Sequence, residues 1–187
     1  MSGSVRLRGK ELVGASRADY NAIRGKQLAM VFQDPMTALT PHLTVGSQLC
    51  EVLKVHEGLR DPAARQRAIE IMERVRIPDP QRRFDMYPFE LSGGMRQRVM
   101  IALALILRPA LVLADEPTTA LDVTVQAQIL ELINEQRRDR NMSLILVTHD
   151  LGVVAGFTDE IAVMYGGKLV EKAPTKVLFE RMKMPYT

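Results

Sequence analysis

Two short apolar segments in the second half of the chain constrain its fold most strongly. Residues 111–114 (LVLA) are apolar throughout, and residues 143–148 contain the aliphatic run LILV. Uninterrupted apolar runs of this length are typical of buried strands in a parallel sheet. Between them, residues 123–139 repeat apolar side chains at helical spacing. Strands that alternate with helices predict an α/β fold built on a parallel sheet.

A long helical stretch interrupts this alternation. Residues 36–108 begin after a strand-like run at 27–32. Within the stretch, Asp61-Pro62 is a favourable helix start, and a second helix is expected over 94–107, before Pro109. We therefore expect a core formed by residues 1–35 and 109–187, with a helical subdomain over 36–108.

Shorter elements are expected on both sides of this stretch. Residues 5–7 alternate as a strand does, and residues 150–157 read as a short helix. Residues 160–170 contain a hairpin signal, with its turn at Gly166-Gly167.

Composition and charge narrow the class of protein. The 187 residues carry a net charge of +3 and one cysteine, which excludes a disulfide framework. The longest apolar run, residues 99–107, is well short of the ~20 residues of a membrane span. No secretory signal opens the chain, so we expect an intracellular globular protein.

Two arginine clusters raise the question of a nucleic-acid partner. They are Arg82-Arg83 and the run Arg137-Arg138-Asp139-Arg140. Neither contains interleaved aromatic residues, and acidic residues lie close by, so solvated helix faces explain them better. We expect no nucleic-acid partner.

Two adjacent acidic residues end the first apolar strand. Carboxyl ends of parallel strands face the ligand crevice, and successive side chains there point to different sides. Asp115 can therefore orient a Mg²⁺ shell while Glu116 polarises a water molecule against a γ-phosphate. The alternative is an ordinary strand followed by an acidic turn.

A serine and two glycines precede the second predicted helix. Ser92, Gly93 and Gly94 leave room for a phosphate to approach the backbone N–H groups of the first helical turn, where the helix dipole favours an anion. The alternative is a serine–glycine loop that only caps the helix.

Two further polar residues follow predicted strands. Gln33 comes after the apolar run that ends at Phe32, and its amide suits a metal ion or an attacking water molecule. His149 follows the strand that ends at Thr148 and can contact a γ-phosphate. Taken in isolation, each is more often structural: Gln33 a turn residue and His149 a satisfied polar residue at a strand end.

The order of these segments resembles a known family. The chain is similar over nearly its whole length to the ATP-binding subunits of ABC transporters. VFQDP (31–35) resembles the Q-loop, and LSGGMRQR (91–98) resembles the signature motif. LVLADEPTTALD (111–122) resembles the Walker B strand with its D-loop, and VTHD (147–150) the switch histidine. FQDPMTALTP and PYT are most similar to the oligopeptide, dipeptide and nickel importers.

The resemblance implies roles for the residues of these motifs. Glu116 and His149 would be catalytic, and Gln33 and Asp115 would serve Mg²⁺ and nucleotide. Signature residues would bind the ATP held by an opposite subunit, and Asp122 would bridge the dimer. The signature residues concerned are Ser92, Gly93, Gly94 and Gln97.

The resemblance also implies a fold, partners and a location. The fold would be a P-loop NTPase-like (RecA-like) sheet with the helical subdomain inserted. A second ABC ATPase subunit and a transmembrane permease would be its partners, at the cytoplasmic face of the plasma (inner) membrane.

One family motif is missing from the sequence. The phosphate-cradling pattern G-x-x-x-x-G-K-[ST] does not occur. The three Gly-Lys pairs, at 9–10, 25–26 and 167–168, lack both the earlier glycine and the following hydroxyl residue. Family members carry this motif before the Q-loop, so we expect it, and the strands around it, before the first residue.

Three functional classes therefore remain open. The first is an N-terminally truncated ATP-hydrolysing subunit that drives import of peptide or nickel. The second is a non-hydrolytic partner that contributes only its signature motif to a dimer. The third, a soluble ABC ATPase of DNA repair or translation, is disfavoured because the chain has neither tandem cassettes nor a long coiled-coil insertion.

Overall fold

The chain divides into two units. The computed structural model describes residues 3–118 and 123–187, and the units comprise residues 1–147 and 148–187. The described strands are β1 (Arg6–Leu7), β2 (Lys10–Glu11), β3 (Leu28–Val31), β4 (Leu111–Asp115), β5 (Ser143–Val147), β6 (Glu160–Tyr165) and β7 (Lys168–Pro174). The described helices are α1 (Arg17–Ile23), α2 (Pro35–Ala38), α3 (Val45–Glu57), α4 (Asp61–Arg74), α5 (Pro80–Phe84), α6 (Gly93–Leu105), α7 (Val123–Arg140), α8 (Leu151–Val154) and α9 (Thr175–Glu180).

The first unit is built on a three-stranded parallel sheet in the order β3-β4-β5. Val31 pairs with Ala114, and Asp115 pairs with Val147. Helices α2 to α6 lie in the chain between β3 and β4, and α7 lies between β4 and β5. The predicted α/β fold with a parallel sheet is confirmed.

The sheet is covered on one face and open on the other among the described residues. Val31, Val112 and Ala114 are buried in the main core. Met30 and Ile145 project from the opposite face and are 39% and 51% exposed. The apolar runs predicted buried strands, and Met30 and Ile145 are apolar side chains of this sheet that stay exposed.

Helices fill the stretch between residues 36 and 108. Thr44 caps the start of α3, and Gly58 ends it in the left-handed conformation, with φ of 67°. The second half of helix α6 is apolar on every side and is mostly buried in the core. An all-round apolar helix is stable only when it is surrounded, and α3 and α4 pack against it. The separate subdomain over 36–108 stays a prediction.

The structure refines several element boundaries. Helix α6 begins at Gly93, and the short helix expected at 150–157 covers only Leu151–Val154. Helix α1 was not predicted, although Ser16 and Asp19 form a capping box at its start.

The second unit contains a hairpin and two short helices. Strands β6 and β7 pair antiparallel, and Gly166 and Gly167 turn between them with φ of 55° and 74°. Two consecutive positive φ values match the turn predicted from the glycine pair. No helix in the described part of the chain has the length and apolar character needed to cross a membrane.

Candidate functional site

The structure brings Gln33 and Glu116 into direct contact. Gln33 lies two residues after β3, and Glu116 directly follows β4. Because these strands are neighbours in parallel register, their following residues meet at one edge of the sheet. The Gln33 Nε2 atom donates a hydrogen bond to Glu116 Oε2 at 2.9 Å.

The backbone of Glu116 adopts an uncommon conformation. Its φ is +43°, in the left-handed region that few non-glycine residues occupy. Its N–H group donates to the Val147 carbonyl at 2.9 Å, which extends the pairing of β4 with β5 by one residue. Strained residues of this kind concentrate at functional sites, where the surrounding structure holds them in place.

Asp115 and Glu116 are both partly exposed at the carboxyl end of β4. Carboxylate and amide oxygens are the ligands that Mg²⁺ prefers, and Mg²⁺ needs only one or two protein carboxylates when phosphates complete its shell. Asp115, Glu116 and the Gln33 amide fit that requirement. In the described ranges, no group of three or more His, Cys, Asp or Glu residues could hold a metal ion by itself.

Helix α6 begins with the predicted serine and glycines. Ser92 is its N-cap, and the Ser92 Oγ atom accepts from the Met95 N–H group at 3.4 Å. Ser92 and Gly93 are exposed, whereas Gly94 is partly buried. A Cβ atom at Gly94 would lie 3.1 Å from Val125 Cγ1, so a larger residue there would press on the start of α7.

Gln97 links helix α6, which begins with the residues of the signature motif, to the segment that contains Asp115 and Glu116. Its side chain is only 2% exposed, and its Nε2 atom donates to the carbonyl oxygen of Pro117, the residue after Glu116. Sequence reasoning treated Gln97 only as a nucleotide ligand and missed this link. Its role as a ligand stays a prediction.

His149 lies in the second unit, at an exposed position. The neighbouring Asp150 side chain caps α8 by accepting from the N–H groups of Gly152 and Val153, at 2.8 and 3.4 Å. Thr148 Oγ1 accepts from the Asp150 N–H group at 3.1 Å. The contact of His149 with a γ-phosphate stays a prediction. Asp122 lies outside the described residues.

A family model described as "ABC transporter" matches residues 1–119. The chain belongs to the ABC transporter family. It is 50% identical over all 187 residues to the oligopeptide transport ATP-binding protein OppD of Haemophilus influenzae and covers 58% of that protein. It is also 50% identical over 185 residues to OppD of Bacillus subtilis, with 99% of this chain and 52% of that protein covered. The chain thus spans somewhat more than half the length of these relatives.

The fold of this ABC transporter chain is that of solved ATP-binding cassettes. The dimeric, post-hydrolysis structure of the cassette MJ0796, bound to ADP and Pi, superposes with a TM-score of 0.81 at 27% identity. The match covers 93% of this chain and 74% of that cassette. The expected P-loop NTPase-like class is therefore confirmed.

Proposed function

We propose that the chain is part of an ATP-binding subunit that drives peptide import through a membrane permease. The observation that carries this proposal is the contact of Gln33 with Glu116 at the sheet edge, 2.9 Å from Nε2 to Oε2. The names of the OppD relatives, which are 50% identical, support peptide as the cargo.

Glu116 is the proposed general base. Its carboxylate accepts a proton from the water molecule that attacks the γ-phosphate of ATP. Gln33 orients that carboxylate through the hydrogen bond to Oε2 and keeps it at the carboxyl edge of the sheet. His149 contacts the γ-phosphate.

Asp115 is the proposed ligand of Mg²⁺, with Gln33 beside it. A bound Mg²⁺ ion would neutralise charge on the phosphates. Asp115 and Glu116 follow one another along the backbone, so the two carboxylates can serve the metal ion and the water molecule separately.

The start of α6 is proposed to bind the ATP of a second ABC subunit. Ser92 and Gly93 are exposed there, and the first-turn N–H groups of a 13-residue helix favour an anion. Gln97 holds this helix against Pro117, so the signature motif and Glu116 keep a defined spacing. Asp122 is proposed to bridge the two subunits.

The remaining parts of the proposal concern assembly. Residues 36–108 form the subdomain that docks on the permease, and residues 1–35 and 109–187 form the ATPase core. The protein acts at the cytoplasmic face of the plasma (inner) membrane.

Two substitutions test this function in a heterodimer. The chain is paired with a complete ATP-binding subunit that carries its own phosphate loop, and ATP hydrolysis is measured. Ser92→Arg places a bulky cation at the start of α6 and should lower the rate by about tenfold or more. Ser47→Arg, at an exposed position near the start of α3, is the matched control and should leave the rate unchanged.

The substitution Glu116→Gln distinguishes a chain that hydrolyses ATP from a non-hydrolytic partner subunit. If the chain hydrolyses ATP, this substitution lowers the rate of the pair by removing the base. If the chain is a non-hydrolytic partner, Ser92→Arg lowers the rate and Glu116→Gln leaves it unchanged. A pair in which neither substitution lowers the rate would contradict the proposed function.

A further inference from the structure

Helices α6 and α7 lie side by side and run in the same direction where they meet. A Cβ atom at Gly94 would lie 3.1 Å from Val125 Cγ1. One helical turn further along, the Arg98 Nη2 atom donates to Gln128 Oε1 at 3.1 Å. Both contacts advance from the first turns of the two helices, so the two helix starts lie at the same end. The signature residues lie at one of these starts, and Asp122 directly precedes the other.

The guanidinium group of Arg98 joins three helices. Its Nη2 atom contacts α7 through Gln128, and its Nη1 atom donates to the Val75 carbonyl, at the end of α4, at 3.0 Å. A guanidinium group presents several N–H donors in a fixed plane, so one side chain holds two acceptors at a defined separation. We refer to Arg98, Val75 and Gln128 as the Arg98 junction.

A second arginine holds the end of α4 against α7. Arg76 follows Val75 in the chain. The Arg76 Nη2 atom lies 2.6 Å from Glu135 Oε1, and its Nη1 atom lies 3.8 Å from Glu131 Oε2. The end of α4 is therefore attached to α7 independently of Arg98, and what Arg98 adds is the connection of both to α6.

The hydrogen bond of Gln97 to Pro117 serves a different connection. Pro117 lies before residues 119–122, whereas α7 follows them. Gln97 and Arg98 are consecutive on α6, so the two side chains attach this helix to both sides of the segment that contains Asp122.

We propose that Arg98 is a positioning residue for the ATP site that this chain shares with a second ABC subunit. The inference rests on the proposed function, in which the start of α6 binds the ATP of the second subunit and Asp122 bridges the two subunits. Arg98 lies six positions, roughly 9 Å, along α6 from Ser92, and it acts through the helices rather than on the nucleotide. By fixing α6 to α7, it aligns the two helix starts before the second subunit and its ATP are bound.

Loss of the Arg98 junction should raise the ATP concentration needed for half-maximal hydrolysis. When only a fraction of the chains has the helix starts aligned, the apparent affinity for ATP falls by that fraction, and bound ATP then restores the alignment. In the pair with a complete ATP-binding subunit, Arg98→Met should therefore raise KM about fivefold and change kcat by less than about twofold. A role limited to folding would lower the amount of active chain, which reduces the rate at saturating ATP and leaves KM unchanged.

Three further variants make this test specific. Gln128→Leu removes the acceptor on α7 and should raise KM by a smaller factor; added to Arg98→Met it should have little effect, because both substitutions break the same contact. Arg98→Lys keeps the charge, but one ammonium group on a flexible stem does not hold two separated acceptors, so KM should stay raised. Arg138→Met, at an exposed position near the end of α7, is the matched control and should leave KM unchanged.

The outcomes for Gln128 and Ser92 separate a failure of this inference from a failure of the proposed function. Gln128 is exposed, so Gln128→Leu decides the result if Arg98→Met does not fold. An unchanged KM in Gln128→Leu, or full recovery of the wild-type KM in Arg98→Lys, overturns the positioning role. If Ser92→Arg lowers the rate of the pair while the Arg98 and Gln128 variants keep the wild-type KM, the positioning role alone fails. If Ser92→Arg leaves the rate unchanged, the proposed function fails and the positioning role fails with it.

Discussion

Replacing Gln97 by methionine should destabilise the first unit without creating a cavity. The Gln97 amide is buried, and its Nε2 atom donates to the Pro117 carbonyl across 20 positions of sequence. Methionine has nearly the same length and volume but no N–H donor. The Pro117 carbonyl, in a buried residue, then loses this partner.

The expected loss of stability follows from the Pro117 carbonyl, which is left without a hydrogen-bond donor. A buried polar group left without its hydrogen bond costs about 1–3 kcal/mol. Unfolding in urea has a slope of about 1–3 kcal/mol per molar for small proteins. The free-energy loss therefore corresponds to a fall of about 1 M in the urea midpoint at the centre of these ranges.

Equilibrium unfolding in urea measures this change. The chain contains no tryptophan, so far-UV circular dichroism of the helices is the appropriate signal. Gln66→Met is the matched control, because Gln66 is exposed on α4 and its amide donates to the exposed Glu70 Oε1 at 3.1 Å. A surface substitution of this kind should change stability by less than about 0.5 kcal/mol.

The comparison with Gln66→Met decides the role of Gln97. If the midpoint of Gln97→Met equals that of Gln66→Met, the hydrogen bond to Pro117 does not support the fold and the reasoning is refuted. If the stability is unchanged but the ATPase rate of the heterodimer falls, Gln97 is instead a nucleotide ligand.

Four other outcomes are expected. Calorimetry should detect little or no binding of Mg-ATP to the isolated chain, because its sequence has no phosphate-cradling motif; micromolar affinity would contradict this. The isolated chain should also scatter light on heating, because Met30 and Ile145 expose the open sheet face, and a reversible monomeric melt would count against it. Gly46→Ala should cost about 1–3 kcal/mol, because a Cβ there overlaps the Phe84 ring, while Gly156→Ala, with open space around it, should be neutral by urea unfolding. Iodoacetamide near neutral pH should alkylate native Cys50 more slowly than the urea-unfolded chain, because the side chain is buried and burial raises the pKa of its thiol; equal rates would contradict this.

Local signals in the sequence predicted most of the described strands and the helices α4, α6, α7 and α8. The apolar runs of β4 and β5 and the glycine pair of the hairpin each act within a few residues, and the structure follows them. The Asp61-Pro62 signal also marks a helix, but α4 already includes Asp61, and its N-cap is Arg60, which makes no side-chain cap hydrogen bond. The open face of the sheet could not be predicted in this way. Whether Met30 and Ile145 are covered depends on which segments pack against the sheet, and an apolar run alone does not contain that information.

The sequence was enough to predict which residues of the candidate site lie close together, but not the backbone conformation of Glu116. The rule that parallel strands end at one edge was enough to place Gln33 near Glu116, although 83 positions separate them. The left-handed backbone of Glu116 was not predictable, because glutamate has no preference for positive φ and only the surrounding fold imposes it.

The sequence indicated that Gln97 is buried, but the interpretation from the signature motif treated it only as a nucleotide ligand. Gln97 lies three and four positions before the buried residues Met100 and Ile101, on the same side of α6, so its burial was indicated by the sequence. A buried amide needs a hydrogen-bond partner. The partner has to come from a segment that packs against α6, and the sequence offers many candidates for that segment. The fold selects the Pro117 carbonyl, and in doing so it couples the signature helix to the residue that follows the proposed base.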